Sequence, residues 1–274
     1  MILTADSGST KTAWCVGELT FNTQGLNPLT TPDEAIALTL AEARSRVGGV
    51  SVSKVVFYGA GCATEPMRLK IAQHLGAVFP DAEVEVGTDM LGACRGFGSA
   101  YGAGLVGILG TGSNACYYDG TAILSQPHSL GYVLGDEGSG NHIGRCLLKE
   151  YLEERMPQPL ASLFSAQFGI THPVAIEHIY RQPNANRWLA SLAPFASANI
   201  SDPYVSGLVE QCMAGYFDHI VSPLSRQAAR QGLLHHDELR LVGSVAQAFA
   251  QQLSGVAARY HISITAIQKA PRFF

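Results

Sequence analysis

The chain has 274 residues, 47% of them hydrophobic and 15% charged, with a formal net charge of −4. That balance suits a globular protein with a large core and excludes a disordered chain, and the lack of any Lys/Arg block disfavours nucleic acid or an anionic membrane as partner. No stretch approaches ~18 apolar residues and no basic, apolar leader opens the chain, so neither a membrane-spanning helix nor a signal peptide is expected and the cytoplasm follows.

In chain order, residues 1–6, 13–19 and 20–24 read as successive strands joined by turns. Pro32-Asp33-Glu34 then opens a helix to about Arg46, with proline and acids where a helix start favours them. Residues 55–58 form a buried strand, 65–78 a helix and 82–86 a short strand ending near Asp89. Residues 89–101 read as helix despite Gly92, Gly96 and Gly98. A second apolar strand system starts at 105–109, followed by a hairpin in which 115–118 and 122–124 flank Asp119-Gly120. Helices are expected at about 139–154, 159–168, 173–181, 186–193 and 203–231. A late strand at 239–242, a helix at 246–259 and a last strand at 261–267 complete the chain.

The restart near residue 105 implies an α/β protein of two lobes with like topology and a cleft between them. The expected boundaries are 1–104 for the first lobe and 105–274 for the second. The second carries a helical insertion, and its last residues are free to return to the first.

Three strand ends run into small, polar, glycine-bearing turns. They are Ser7-Gly8-Ser9-Thr10-Lys11-Thr12, Gly110-Thr111-Gly112-Ser113-Asn114 and Gly243-Ser244. Consecutive backbone N–H groups in such turns form anion-binding concavities, and glycine lets a phosphate approach closely. No G-x-x-x-x-G-K-[ST] run is present. Gly102 to Gly107 matches G-x-G-x-x-G but precedes a strand, where the dinucleotide fingerprint has to follow one. Asp6 ends the first strand just before its turn. A carboxylate beside phosphates is repulsive unless a divalent cation lies between them, so Asp6 is a magnesium candidate. Lys11 either adds charge to the phosphates or is a solvated surface lysine.

Two further acidic stretches are candidates for chemistry. Asp89 follows a Gly-Thr step and caps a small-residue helix. Alone it reads as a plain N-cap, but phosphoryl transfer to an alcohol needs a carboxylate that accepts the hydroxyl proton. In residues 130–140, Gly131, Gly135, Gly138 and Gly140 frame Asp136-Glu137. This acidic pair suits vicinal sugar hydroxyls, or a capped helix start equally well. Asn27 is either a turn residue before Pro28 or a substrate contact. The six cysteines, Cys15, Cys62, Cys94, Cys116, Cys146 and Cys212, form no C-x-x-C and read as buried free thiols, with a metal or iron–sulfur set as the minor alternative. His235-His236 with Asp237-Glu238 reads as a solvated loop.

The stretches DSGSTKT, TQGLNP, FYGAGC, DMLGA, ILGTGSN, LGYVLGDEGSG and LVGSVA occur in this order over about residues 1–250. Together they resemble the sugar-kinase/actin/Hsp70 superfamily and, within it, the N-acetylglucosamine kinase branch of the BadF/BadG/BcrA/BcrD-type ATPases. The resemblance implies two ribonuclease-H-like lobes, the actin-like ATPase fold, closing on ATP. Asp6 then acts through magnesium, turns 7–12 and 110–112 hold phosphates, and Gly243 and Ser244 lie near the ribose or adenine. Asp89 is the implied base. Asn27, Ser113, Asn114, Gly131, Asp136 and Glu137 are the implied sugar contacts, with Thr111 near the phosphate–sugar junction. The implied reaction is transfer to the 6-OH of N-acetylglucosamine or a close amino sugar, in a protein that leans towards a homodimer. Such chains continue past the last strand into a terminal helix, whereas QKAPRFF stops at Phe274, so the gene is truncated or the end has diverged. Two other classes stay open. An ATP-driven activator of a dehydratase or reductase would hold an iron–sulfur cluster, with Cys62 and Cys94 as the one plausible pair near a lobe surface, although their contexts read as buried. A sugar or nucleotide sensor would have lost turnover.

Overall fold

Strand register sets the architecture of the computed structural model, which describes residues 1–8, 10–98 and 101–273. The chain divides into two compact units, Met1–Tyr101 with Pro271–Phe274, and Gly102–Ala270. In the first unit β1 (Ile2–Ser7) pairs antiparallel with β2 (Lys11–Val16), which pairs antiparallel with β3 (Leu19–Gln24). On its other side β1 pairs parallel with β4 (Lys54–Gly59), and β4 with β5 (Glu83–Thr88). The sheet order is therefore β3-β2-β1-β4-β5. Parallel pairs need a crossover, supplied here by α1 (Asp33–Val47) and α2 (Glu65–Val78), while α3 (Asp89–Gly96) follows β5. The core joins Leu3, Trp14 and Phe57 of the sheet to Ile36, Leu40, Ile71 and Leu75 of α1 and α2. Trp14 is buried whole because its indole N–H finds Thr23 Oγ1 at 2.8 Å.

The second unit repeats this winding. β6 (Gly104–Leu109), β7 (Ser113–Tyr118) and β8 (Ile123–Ser125) are antiparallel, and β9 (Glu238–Val242) and β10 (Ser263–Gln268) extend the sheet in parallel. The order β10-β9-β6-β7-β8 is the first sheet's pattern again. Between β8 and β9 run α4 (Gly131–Leu134), α5 (Gly140–Leu152), α6 (Gln158–Phe168), α7 (His172–Tyr180), α8 (Ala185–Ala190), α9 (Ala193–Ala198), α10 (Pro203–Tyr216) and α11 (Ser222–Arg230). After β9 come α12 (Ser244–Ala248) and α13 (Ala250–Arg259). Leu147, Phe164, Phe195, Tyr216, Phe217 and Leu253 are among the residues that fill this core. No helix among the described residues is long and apolar enough to cross a membrane.

Several expectations change in detail, among them a short helix at Ala193–Ala198 beyond the one expected over 186–193. The helix expected over 89–101 ends at Gly96, because Gly98 takes φ +76°. The helix expected over 203–231 contains a π-turn at Phe217–Val221, just before Pro223, whose nitrogen has no hydrogen to donate. The helix expected over 246–259 breaks at buried Phe249, and Gly131–Leu134 adds a short helix where none was anticipated. Gly102 to Gly107 leads into β6 and opens no helix, as anticipated.

Within the first unit the final residues lie against α3. Arg272 N–H donates to Gly96 O at 3.3 Å, and the Phe273 ring stacks on Tyr58 with centroids 5.2 Å apart. A methyl group on Gly96 would come within 2.5 Å of the Pro271 side chain.

Candidate active site

In the first unit the register brings two carboxylates to the same end of the sheet. Ser7, Gly59 and Thr88 lie in one row across β1, β4 and β5. Asp6 is one residue before that row and Asp89 one residue after it. Thr88 caps α3 by accepting the Leu91 N–H at 3.1 Å, and Asp89 Oδ1 accepts the Met90 N–H at 2.9 Å. The N-cap is thus Thr88, which leaves Asp89 in the first helical turn. Burial pushes the Asp6 carboxyl up from 3.8 to about 6; the Asp89 charge adds to the rise and Lys11 opposes it. Burial likewise raises Asp89, against the stabilising N–H contacts of Met90 and its own amide. The carboxylate of Asp6 makes no hydrogen bond or ion pair among the described residues. An unpartnered oxygen donor next to a second carboxylate fits magnesium, which binds through one or two carboxylates and keeps its waters.

The turn after β1 divides by side chain. Ser7 Oγ contacts Thr12 Oγ1 at 2.7 Å, donates to Leu26 O and accepts the Leu26 N–H, both at 3.0 Å. Thr12 Oγ1 donates to Gln24 O at 3.0 Å, and both residues are fully buried. Their hydroxyls hold the turn onto the exit of β3. Gly8, Thr10 and Lys11 are exposed, and the Gly8 N–H closes the turn on Lys11 O at 3.0 Å. Ser9 lies outside the described residues. Asn27 builds its own turn, Oδ1 accepting the Leu29 N–H at 3.0 Å. Its side chain also fills the place a Cβ on Gly61 would take, 2.1 Å from Oδ1, at a φ of +81°.

In the second unit the glycine turn after β6, the acidic loop and the turn after β9 meet. Asp136 carries the junction, at φ +60°. Its Oδ1 accepts the Ser113 N–H at 3.2 Å and its Oδ2 accepts from Asn141 Nδ2 at 2.9 Å. Ser113 Oγ donates to Glu137 O at 2.7 Å, and the Gly140 N–H donates to Gly110 O at 2.8 Å. Burial raises the Asp136 pKa against these contacts, and the Glu137 charge adds to the rise. Glu137 is half-buried, and its carboxylate has no partner among the described residues. Gly112 faces the Asp136 carboxylate, 3.0 Å from where a Cβ would stand. Asn114 Oδ1 accepts the Ala115 N–H at 2.8 Å, and Asn114 O accepts from the Tyr216 hydroxyl at 3.1 Å. Gly131 opens α4 at φ +69°, in open space. Gly243, at φ +134°, packs on the end of β6, and Ser244 starts α12 beside it.

Sequence reasoning missed Asn141. It is fully buried, donates Nδ2 also to Thr111 O at 2.7 Å, and keeps a buried Oδ1 with no hydrogen-bond partner. Its signal was its place just after the Gly-Ser-Gly step at a helix start. Cys62 and Cys94 are both buried, as their sequence contexts imply, and burial beside Asp89 pushes the Cys62 thiol up to about 12. A buried, protonated thiol is a poor ligand for an interfacial cluster. All six cysteines are free, and Cys146 alone among them is only half-buried. His235 Nδ1 pairs with Glu238 at 2.8 Å in an exposed loop.

No family model matches the chain, and no curated protein does. Solved structures match over its full length. A provisionally assigned N-acetylglucosamine kinase of Porphyromonas gingivalis is 35% identical, with a TM-score of 0.90 over 99% of this chain and 95% of that one. A second provisional N-acetylglucosamine kinase, from Chromobacterium violaceum, is 20% identical at a TM-score of 0.65 over 98% and 95%. A ROK family glucokinase of Streptomyces griseus, solved with glucose and AMPPNP, is 17% identical at 0.55 over 98% and 94%. The latter two share the fold, and the first shares sequence as well. The chain belongs to the N-acetylglucosamine kinase branch of the BadF/BadG/BcrA/BcrD-type ATPases, in the sugar-kinase/actin/Hsp70 superfamily.

Proposed function

We propose that the protein is an ATP-dependent sugar kinase that phosphorylates the 6-OH of N-acetylglucosamine or a close amino sugar. The observation that carries this reading is the pair Asp6 and Asp89 at one end of the first sheet, both pushed towards proton binding by burial. A carboxylate raised by burial is a stronger proton acceptor than an ordinary one. Asp89 is the base in this reading. It holds its place through α3, and the Met90 N–H orients its Oδ1. Magnesium held at Asp6 would supply the positive charge that offsets the phosphates. The backbone N–H groups of the exposed part of turn 7–12, with Lys11, and those of 110–112 would cradle phosphate oxygens, and Gly243-Ser244 would face the nucleoside. Glu137 has a free carboxylate for sugar hydroxyls, while Asp136 and Asn141 hold Ser113 and Thr111 in position. Positioning and charge neutralisation supply most of the rate in such transfers.

The alternative of an iron–sulfur activator loses its support with Cys62 and Cys94 buried. The test is ADP release from MgATP by the purified chain with N-acetylglucosamine, glucosamine or N-acetylmuramic acid. Sugar-dependent release, fastest with N-acetylglucosamine and yielding a phosphomonoester at the 6-position, is expected. Release that ignores every sugar, or none at all, would refute the reading.

A further inference from the structure

Behind the acidic loop, α5 and α10 line an open cavity of about 600 Å³ in the second unit. His142 and Cys146 on α5 and Cys212 on α10 face it, their donor atoms all within 4.8 Å of one another. Gly207 on the cavity wall leaves room, and Lys149, Glu150 and Tyr204 line its polar side. Cys146 is half-buried, so a small molecule in the cavity reaches its sulfur, whereas Cys212 is 2% exposed behind it.

The imidazole decides between two kinds of site. His142 Nδ1 accepts the Gly138 N–H at 3.0 Å, so the proton of the neutral ring is on Nε2. That arrangement offers a sulfur a hydrogen bond and offers a cation no lone pair. Cys212 and His142 sit beside the Cys146 sulfur, and Arg145 adds positive charge. These contacts hold the Cys146 thiol well below its usual range and, with burial, drive Cys212 upwards. Cys146, the more exposed of the two sulfurs, is the one favoured to attack, with Cys212 buried beside it.

We propose that Cys146 is an oxidative modification site, whose sulfur reduces a small hydroperoxide entering the α5–α10 cavity and then closes a disulfide with Cys212. In the first step the Cys146 sulfur attacks the terminal oxygen of hydrogen peroxide. The S–O bond forms, the O–O bond breaks, and the leaving hydroxide takes a proton from solvent to become water. In the second, the Cys212 sulfur attacks the sulfenic sulfur of Cys146. The S–S bond forms as hydroxide leaves with the Cys212 proton as a second water. Two thiols lose two electrons and one peroxide gains them. The packed helices already hold the sulfurs as neighbours, as the attack requires.

The test is covalent and independent of any kinase activity. The reduced full-length protein is treated with equimolar hydrogen peroxide at neutral pH and its cysteines are mapped by mass spectrometry. The expected result is a Cys146–Cys212 crosslink forming before Cys15, Cys62, Cys94 or Cys116 change, about tenfold faster than oxidation of free cysteine. In Cys212→Ser the sulfenic acid should persist on Cys146 and be trapped by dimedone. Oxidation spread over the other cysteines, a rate equal to that of free cysteine, or purified protein carrying stoichiometric zinc on the trio would each overturn the proposal. The wild-type measurement stands even where the variant fails to fold.

Discussion

Replacing Asp6 with Asn should make the ligand-free protein more stable at neutral pH. The Asp6 carboxyl is raised from 3.8 to about 6, chiefly by burial and then by the Asp89 charge. Below pH 3.8 native and unfolded chains both hold the proton, and the group adds nothing to the pH dependence. Between about 3.8 and about 6 the unfolded chain releases the proton while the native chain keeps it, so stability falls as pH rises. Above about 6 the full penalty remains. At about 1.4 kcal/mol per pH unit the interval amounts to roughly 3 kcal/mol, an upper bound because Asn remains a buried polar group. With a urea slope of about 3 kcal/mol/M, the unfolding midpoint of Asp6→Asn should rise by up to about 1 M near pH 7.5. Near pH 4 most of the gain should vanish. An unchanged or lower midpoint at neutral pH would refute the reasoning, and so would an equal gain at both pH values, which would trace to packing rather than charge.

The remaining predictions test the site piece by piece. Asp89→Asn should keep MgATP binding by calorimetry while turnover falls about 10²–10⁴-fold, the scale of a lost general base. Asp136→Asn tolerates the positive φ but turns an amide hydrogen towards Asn141 Nδ2, so it should lose about 1–2 kcal/mol in urea unfolding. Gly243→Ala drives a methyl carbon to 2.0 Å from Leu109 O and should cost more than about 3 kcal/mol or prevent folding. Gly110→Ala meets nothing within 4 Å and should fold within about 0.5 kcal/mol of the parent, yet lose most of the melting-temperature gain from MgATP.

The strand ends were legible because each carries its own local chemistry. An apolar run stops at a glycine turn, and Asp119-Gly120 marks the β7–β8 hairpin, where Asp119 Oδ1 accepts from both Thr121 and Ala122 N–H groups at 2.7 Å. What escaped was set by residues distant in sequence. Asn141 matters because it meets Thr111, and that meeting exists only once α5 starts beside the end of β6. His142 and Cys146 share one helix face at i,i+4, a spacing visible in the sequence, but Cys212 joins them only through the packing of α10 on α5. Ser7 and Thr12 looked like donors to a ligand. Their hydroxyls instead close the β1–β2 turn, because buried hydroxyls must find partners and the nearest acceptors are Leu26 O and Gln24 O.

Hydrogen-bond accounting separates the carboxylates that serve the fold from those left for chemistry, where the direction of a pKa shift does not. At Asp119 the exposed carboxylate accepts three hydrogen bonds, which hold its pKa below the usual range. Burial raises both Asp136 and Asp6. Yet Asp136 has a backbone donor on one oxygen and an amide donor on the other, and so links two segments of chain. Asp6 links nothing among the described residues and faces a second negative group. Neutralising these two residues should therefore move stability in opposite directions, down at Asp136 and up at Asp6. Only the second pattern fits a group whose ligand comes from outside the chain, as proposed for Asp6. A burial penalty held at such a position, with no internal contact to offset it, is what a cation-binding carboxylate requires, because the bound cation returns that free energy on binding. Adding magnesium with ATP should accordingly stabilise the parent chain more than Asp6→Asn, and equal stabilisation of the two would remove Asp6 from the cation site.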